Sequence, residues 1–252
     1  MYNARKEKIV ATIEARMTSS RLPGKVLLSL AGTPVLEMMV NRLKQSKYLD
    51  AICVATTTNA NDDLVEALAK RLGVECFRGS ESDVLGRVLG AAESVEADII
   101  VEAMADSPLI DPALIDRGIA EFFAHDVDYA ANCMKDTYAV GFEVQVFPTK
   151  VLAEVASQTN DIIDRTHVTY YICMHPEKYR TYNWEAPAEL VAPKFRMTLD
   201  EESDYKAIAA VAEALLPIKP HFTVEDVTIY LSEHPEVVAI NNNVRQKSAE
   251  EL

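Results

Sequence analysis

Apolar residues along the first half of the chain switch repeatedly between two rhythms. "KIVATIEA" (8–15) is short and β-branched, as a buried strand should be. Helical spacing follows in "TPVLEMMVNRLKQSKYL", with Val35, Leu36, Met39, Val40 and Leu43 on one face. Thr33 is the expected N-cap there, and Pro34 the first helical residue. "AICVATTT" (51–58) predicts a second strand, and "NDDLVEALAKRLGV" a helix capped by Asn61 and stopped by Gly73. "VECFRG" (74–79) predicts a third strand, followed by a helix opened by Ser82 or Asp83. "ADIIVEAMAD" (97–106) makes a fourth, before a helix over 111–125 with Asp111 as cap and Pro112 at its first position.

Four strand–helix units in succession predict an α/β fold with a mostly parallel, doubly wound sheet. Right-handed crossovers put the strand C-terminal ends on one edge, where open α/β sheets bind ligands. Residues 15–25 and Asp106 fall at that edge. After residue 126 the rhythm loosens. "VDYAANC" and "GFEVQVFP" read as strands joined through "MKDTYAV" in a hairpin or flap. "TKVLAEVASQ" and "IIDRTHVTYYICMH" read as helices, "YRTYNWEAP" as extended chain, and "KFRMTLD" as a strand ended by Asp200. Two helices close the chain. The whole, 1–252, reads as one domain, with 1–125 and 186–252 as its core and 126–185 as an excursion.

With 49% hydrophobic residues and 11 prolines in 252, a sizeable core is expected. The net charge of −14 argues against binding nucleic acid or an anionic membrane surface. No apolar run approaches the length of a membrane span, and the charged "MYNARKEK" is not followed by a signal-peptide core. Cys53, Cys76, Cys133 and Cys173 form no CxxC pair and suit reduced thiols in a cytoplasmic protein.

Against that acidic background, "EARMTSSRLPGK" (14–25) gathers Arg16, Arg21 and Lys25 among three hydroxyls and a glycine. Fixed cations and exposed backbone amides ahead of a helix can wrap a phosphate chain, although a solvated basic turn has the same composition. Neither GxxxxGK[ST] nor GxGxxG is present.

The string "ARMTSSRLPGK" after an initial strand resembles the signature of the cytidylyltransferases that activate acidic sugars. These are the CMP-Kdo and CMP-sialic acid synthetases, and above all their spore-coat polysaccharide relatives. "FRGSESDVLGRV", "ADSPLIDPALID", "DRTHVTYYI", "RMTLDEESDY" and "INNNVRQK" extend the likeness over most of the chain. The resemblance implies a Rossmann-like nucleotide-diphospho-sugar transferase fold. It implies transfer of CMP from CTP to a hydroxyl of an acidic sugar, with Mg²⁺ as cofactor and pyrophosphate released. It also implies a homodimer paired through 126–185.

Carried over by position, Arg16, Ser19, Arg21 and Lys25 would hold the triphosphate, with Ala15 also among the nucleotide-binding residues. Thr56, Arg78, Gly79 and Ser80 would line the base and ribose pocket, with Asp83 and Arg87 supporting that loop. Asp83 reads equally well as a helix cap. Asp106 and Asp200 would ligate the metal, with Asp204 second, and Arg16 and Lys25 would join them in catalysis. Glu143, Gln145, Arg165 and His167 would face the acceptor. Gly141, Glu143 and Gln145 stand where the relatives carry G-x-D-x-E, and Ala105 precedes Asp106 where they carry glycine. The acceptor therefore stays open: an ulosonic acid, another sugar acid or a phosphonate. Competing readings are a nucleotide-sugar glycosyltransferase, which would want a DxD pair, and a pyrophosphorylase, which would want a GxGTR-type loop. A non-enzymatic binding module would be expected to lack Lys25, Asp106 or Asp200.

Overall fold

A computed structural model describes residues 6–249 and 251, so residues 1–5 of "MYNARKEK" lie outside the described residues. The chain runs through β1 (Ile9–Glu14), β2 (Ser29–Leu30), β3 (Thr33–Pro34), α1 (Val35–Leu43), β4 (Ala51–Thr57), α2 (Asp63–Leu72) and β5 (Glu75–Gly79). It continues through α3 (Val84–Ser94), β6 (Ile99–Met104), α4 (Pro112–Ala124), β7 (Tyr129–Ala131), β8 (Gln145–Pro148) and α5 (Thr149–Gln158). It ends with α6 (Ile162–Thr166), α7 (Tyr170–Met174), β9 (Thr181–Asn183), α8 (Glu202–Leu215), α9 (Val224–Glu233) and α10 (Pro235–Val238).

Seven strands form one sheet in the order β5-β4-β1-β6-β8-β7-β9. β5, β4, β1 and β6 run parallel, and β8 alone runs against both its neighbours. The alternation of β1 sorts its side chains. Ile9, Ala11 and Ile13 pack under α1, α2, α4, α8 and α9, while Val10 faces α3, α5 and α7. Helices therefore cover both faces, and the doubly wound α/β expectation holds. The segment 126–185 supplies β7, β8 and β9 to the same sheet, so its strands extend the core rather than stand outside it.

Local expectations divide by the competition each residue meets. Gly73 ends α2 in the left-handed conformation, Asp83 caps α3 through Gly86 N, and Asp111 caps α4 through Ala113 N. Thr33 and Asn61 do not cap. Thr33 pairs with Leu30 in the β2–β3 hairpin, and the N-cap position of α1 passes to Pro34. Asn61 lies inside a short 3-10 turn over Ala60–Asp62, which moves the start of α2 beyond it. "IIDRTHVTYYICMH" breaks into α6 and α7 at His167–Thr169.

"KFRMTLD" is not a strand. It is extended chain joined to Val140 by Val140 N to Phe195 O (2.9 Å) and Met197 N to Val140 O (2.7 Å), and to Asp106 O by Leu199 N (2.7 Å). Its backbone groups are satisfied by two loops, so no ladder forms. Gly141, at φ 103°, permits that approach: a Cβ there would stand 2.6 Å from the Met197 carbonyl carbon. Among the described residues, no helix is long and apolar enough to cross a membrane.

Candidate active site

The turn after β1 is held from both ends. Gly24, at φ 71°, closes it through Gly24 N to Met17 O (2.9 Å), and Met17 N donates to Asp62 Oδ1 (2.7 Å). Asp62 is itself buried, taking further hydrogen bonds from the Thr57 amide and hydroxyl at the end of β4. Arg16 leans on Glu81, which also accepts from the Thr18 hydroxyl and Asn59 Nδ2 (2.7 Å). The cations thus stand on a loop whose backbone is pinned by neighbouring crossovers.

Lys25 reaches across the sheet edge. Its Nζ lies 3.4 Å from Asp106 Oδ2, 3.2 Å from Asp200 Oδ1 and 2.6 Å from Leu199 O. Arg21 also meets Asp200 Oδ1, at 2.9 Å. The other Asp200 oxygen accepts from Arg196 Nη2 at 2.7 Å, which turns Oδ1 towards the loop. Burial works against the Asp200 anion, yet Lys25, Arg21 and Arg196 outweigh it and hold the carboxyl below its ordinary value.

These groups wall a cleft with two lobes. One, of about 320 Å³, is lined by the 14–26 turn, including Ala15 and Ser19. The other, of about 510 Å³, runs past Val140, Glu143, Thr198 and the tail residues Gln246–Ser248. Arg16, Arg21, Asp106, His167 and Asp200 line both lobes. Burial lowers the His167 imidazole below its ordinary value, against an opposing backbone hydrogen bond at Ala249. Burial pushes Glu143 up to about 7, with the Gly141 N–H opposing and Asp106 and Asp136 reinforcing.

Asp106 and Asp200 contact one ammonium, so two hard oxygen donors converge on a single point. That donor set suits Mg²⁺, which takes one or two protein carboxylates and completes its shell with phosphate and water. No group of three or more His, Cys, Asp or Glu side chains gathers for a metal among the described residues. Asp204 is not placed to be a ligand. It is fully buried, and its oxygens accept from Arg196 Nε (3.0 Å), Asn241 Nδ2 (2.9 Å) and the amides of Asp200 and Glu201 (3.0 Å each).

Other residues expected at the site are occupied elsewhere. Arg78 turns outward to Asp63 (2.6 Å) and Glu66 (2.7 Å) and braces the 57–59 turn. Thr56 is buried within β4 and lines neither lobe, and Gly79 packs against Arg87. Ser80 offers its carbonyl to Arg87 and its hydroxyl to Asp83 N (3.1 Å). Arg165 pairs with Asp83 and donates to Ala156 O (3.0 Å), which ties α6 to α3. Gln145 lines a third cavity, beyond His167.

Several lining residues had no sequence signal strong enough to single them out. Glu81 lay inside "FRGSESDV", but only the fold turns it to Arg16. Glu14 lines the first lobe and forms a buried pair with Glu102. Thr198 lay inside "RMTLDEESDY" and Gln246–Lys247 inside "INNNVRQK", but only tertiary packing brings them to the cleft.

A cytidylyltransferase sequence profile matches residues 10–233. The chain belongs to the cytidylyltransferase family. Its members are nucleotidyltransferases using CTP, and the Lys25–Asp106–Asp200 cluster sits at the edge where open α/β sheets bind ligands. The Bacillus subtilis spore coat polysaccharide biosynthesis protein SpsF is 33% identical over 237 residues, covering 90% of this chain and 95% of that one. The 3-deoxy-manno-octulosonate cytidylyltransferase of Geobacter metallireducens is 35% identical over 117 residues, 46% of this chain and 45% of that enzyme. A cytidylyltransferase structure from Leptospira borgpetersenii superposes with a TM-score of 0.88 at 30% identity, over 96% of this chain and all of that one.

Proposed function

We propose that this cytidylyltransferase transfers CMP from CTP to a hydroxyl of an ulosonic-type sugar acid, with Mg²⁺, and releases pyrophosphate. The observation that carries the reading is the convergence of Lys25, Asp106 and Asp200 beside a turn bearing Arg16 and Arg21. In the reaction the acceptor oxygen forms a bond to the α-phosphorus. The bond from that phosphorus to the bridging oxygen breaks, and the hydroxyl proton is lost.

Arg16, Arg21 and Lys25 supply fixed positive charge to the triphosphate, and Ser19 and Ala15 line its lobe. Phosphoryl-type transfer depends mainly on such positioning and charge neutralisation. Asp106 and Asp200 would hold Mg²⁺, which when bound neutralises charge on the phosphate oxygens. Arg196 orients Asp200 for that role from the side remote from the cleft. The second lobe, between Glu143, Thr198 and the tail, is the proposed acceptor side.

The spore-coat relative, named for polysaccharide biosynthesis, supports a sugar over a phosphonate, and the octulosonate enzyme supports an acidic one. All four cysteines are free, in keeping with action in the cytoplasm. Pairing of two copies through 126–185, where Met134, Ile162 and Met174 are exposed, completes the reading.

Pyrophosphate release tests it: four nucleoside triphosphates against N-acetylneuraminate, deaminoneuraminate, 3-deoxy-D-manno-octulosonate and small phosphonates. Release with CTP, Mg²⁺ and a sugar acid is expected, from a particle of about twice 27.9 kDa by light scattering. Equal release with all four triphosphates, or with phosphonates only, overturns it.

A further inference from the structure

The segment after α10 returns to the site through a single residue, Arg196. Asn241 is buried, and its Nδ2 donates to the Arg196 carbonyl and to Asp204 Oδ1, at 2.9 Å each. A turn closed by Val244 N to Asn241 O (3.0 Å) follows. It brings Gln246 to the other end of the same arginine, where Gln246 Oε1 accepts from Arg196 Nη1. Backbone and guanidinium of Arg196 are thus both tied to "INNNVRQK".

That guanidinium stands between Asp200 and Asp204. Nη2 donates to Asp200 Oδ2 at 2.7 Å, Nε donates to Asp204 Oδ1 at 3.0 Å, and Nη2 also reaches Asp204 Oδ2 at 3.5 Å. Both acids therefore meet one edge of a planar fork. The remaining nitrogen, Nη1, is held among the described residues by Gln246.

This third contact decides where the fork rests. Asp204 is fully buried and has both oxygens within reach of Arg196. An unrestrained guanidinium would settle onto Asp204, where an unpaired buried charge costs most, and loosen from Asp200. Both Asp200 oxygens would then be open to Lys25 and Arg21, and Oδ1 would lose its fixed direction. Gln246 itself is exposed and lies on the wall of the second lobe, with Lys247 and Ser248 beside it. The tail thus walls the proposed acceptor side and braces a carboxylate on the phosphate side.

We infer that Gln246 is a positioning residue: by holding Arg196 Nη1 it keeps Asp200 Oδ1 turned to the cleft. The inference rests on the proposed role of Asp200 as a ligand for Mg²⁺, and adds that the tail sets how well that ligand serves. Gln246 acts through Arg196, not by contact with the reacting atoms.

The test measures CTP binding by titration calorimetry, in saturating Mg²⁺ and again in EDTA. No acceptor is added, so no turnover enters. Mg²⁺ should tighten CTP binding to the unaltered chain. Gln246→Leu removes the accepting oxygen at similar size and should leave the EDTA value in place. It should cut the gain from Mg²⁺ about fivefold, less than is usual for a group that touches a metal ligand directly. Gln246→Glu returns an oxygen to Arg196 Nη1 and should recover the gain to within about twofold. On an Asp200→Asn background Gln246→Leu should change nothing further, because residues that act through one another do not add. A gain unchanged in Gln246→Leu, an equal loss in Mg²⁺ and in EDTA, no recovery in Gln246→Glu, or a full additional loss on the Asp200→Asn background overturns the positioning role. The metal reading stands through all of these as long as Asp200→Asn abolishes the gain. No gain in the unaltered chain, or one untouched by Asp200→Asn, overturns both.

Discussion

Lys25 shows at the scale of one residue how this site is assembled. Its ammonium has carboxylates from two distant segments at 3.4 and 3.2 Å and a backbone carbonyl at 2.6 Å. Those two carboxylates were legible because each closes an apolar stretch near the ligand-binding edge, and the family string marked both. Asp204 was not separable from Asp200 by sequence, since a spacing of four residues does not say on which side Arg196 lies. The structure makes them different instruments: Asp200 divides its oxygens between Arg196 and the cleft, whereas Asp204 spends both inside. Asp106→Asn and Asp200→Asn should each lower CTP-dependent pyrophosphate release by at least about a hundredfold, as removal of one strong electrostatic group does. Asp204→Asn breaks a fully buried ion pair and should cost about 3 kcal/mol in urea unfolding. An Asp204→Asn protein as stable as its parent but as inactive as Asp200→Asn would reverse the two roles.

Among the elements, those with their own periodicity were readable and those made by packing were not. β1, β4, β5, β6 and the helices between them carry local signals: β-branched runs, a left-handed Gly73, caps at Asp83 and Asp111. The stretch "KFRMTLD" has the same β-rich composition but finds its partners in two loops, at Val140 and Asp106, both far away along the chain. The helical pattern around His167 likewise breaks: His167 follows α6 in extended conformation and lines three cavities. Gly141 is the point of closest approach in this arrangement, since the Met197 carbonyl occupies the space a side chain would need. Gly141→Ala should cost on the order of 2 kcal/mol, from a strained φ and a displaced neighbour. Turnover should fall with it, because Leu199 and Asp200 follow Met197 directly. A Gly141→Ala protein with unchanged urea midpoint and activity would show that the loop contact does not position Asp200.

For the molecule as a whole, the acidic balance of −14 has a buried counterpart. Glu14, at the end of β1, and Glu102, within neighbouring β6, lie close enough inside the sheet for each to act on the other's titration. One oxygen of each, Glu14 Oε1 and Glu102 Oε2, is buried with no hydrogen-bond partner. Burial raises both carboxyls above their ordinary value. Arg87 and Arg16 oppose this at Glu14, while the Glu14 charge raises Glu102 further. Two such groups share a proton and titrate as a pair. Their native pKa values exceed the unfolded ones, so their contribution to stability is complete below the unfolded value, near pH 4.5. It is lost as pH rises through the native titration, because the folded chain must then ionise a carboxyl that burial has stripped of most of its hydration. Glu102→Gln keeps the shape and a hydrogen-bond donor for Glu14, and takes away one of the two acids. It should raise the melting temperature at pH 8 by on the order of 3 °C, a step expected for about 1 kcal/mol in a chain of this size. The advantage should shrink as pH falls towards 4, where the parent pair is protonated whether folded or not. A Glu102→Gln protein that melts below its parent at pH 8 would mean that the ionised pair holds the sheet together instead of straining it.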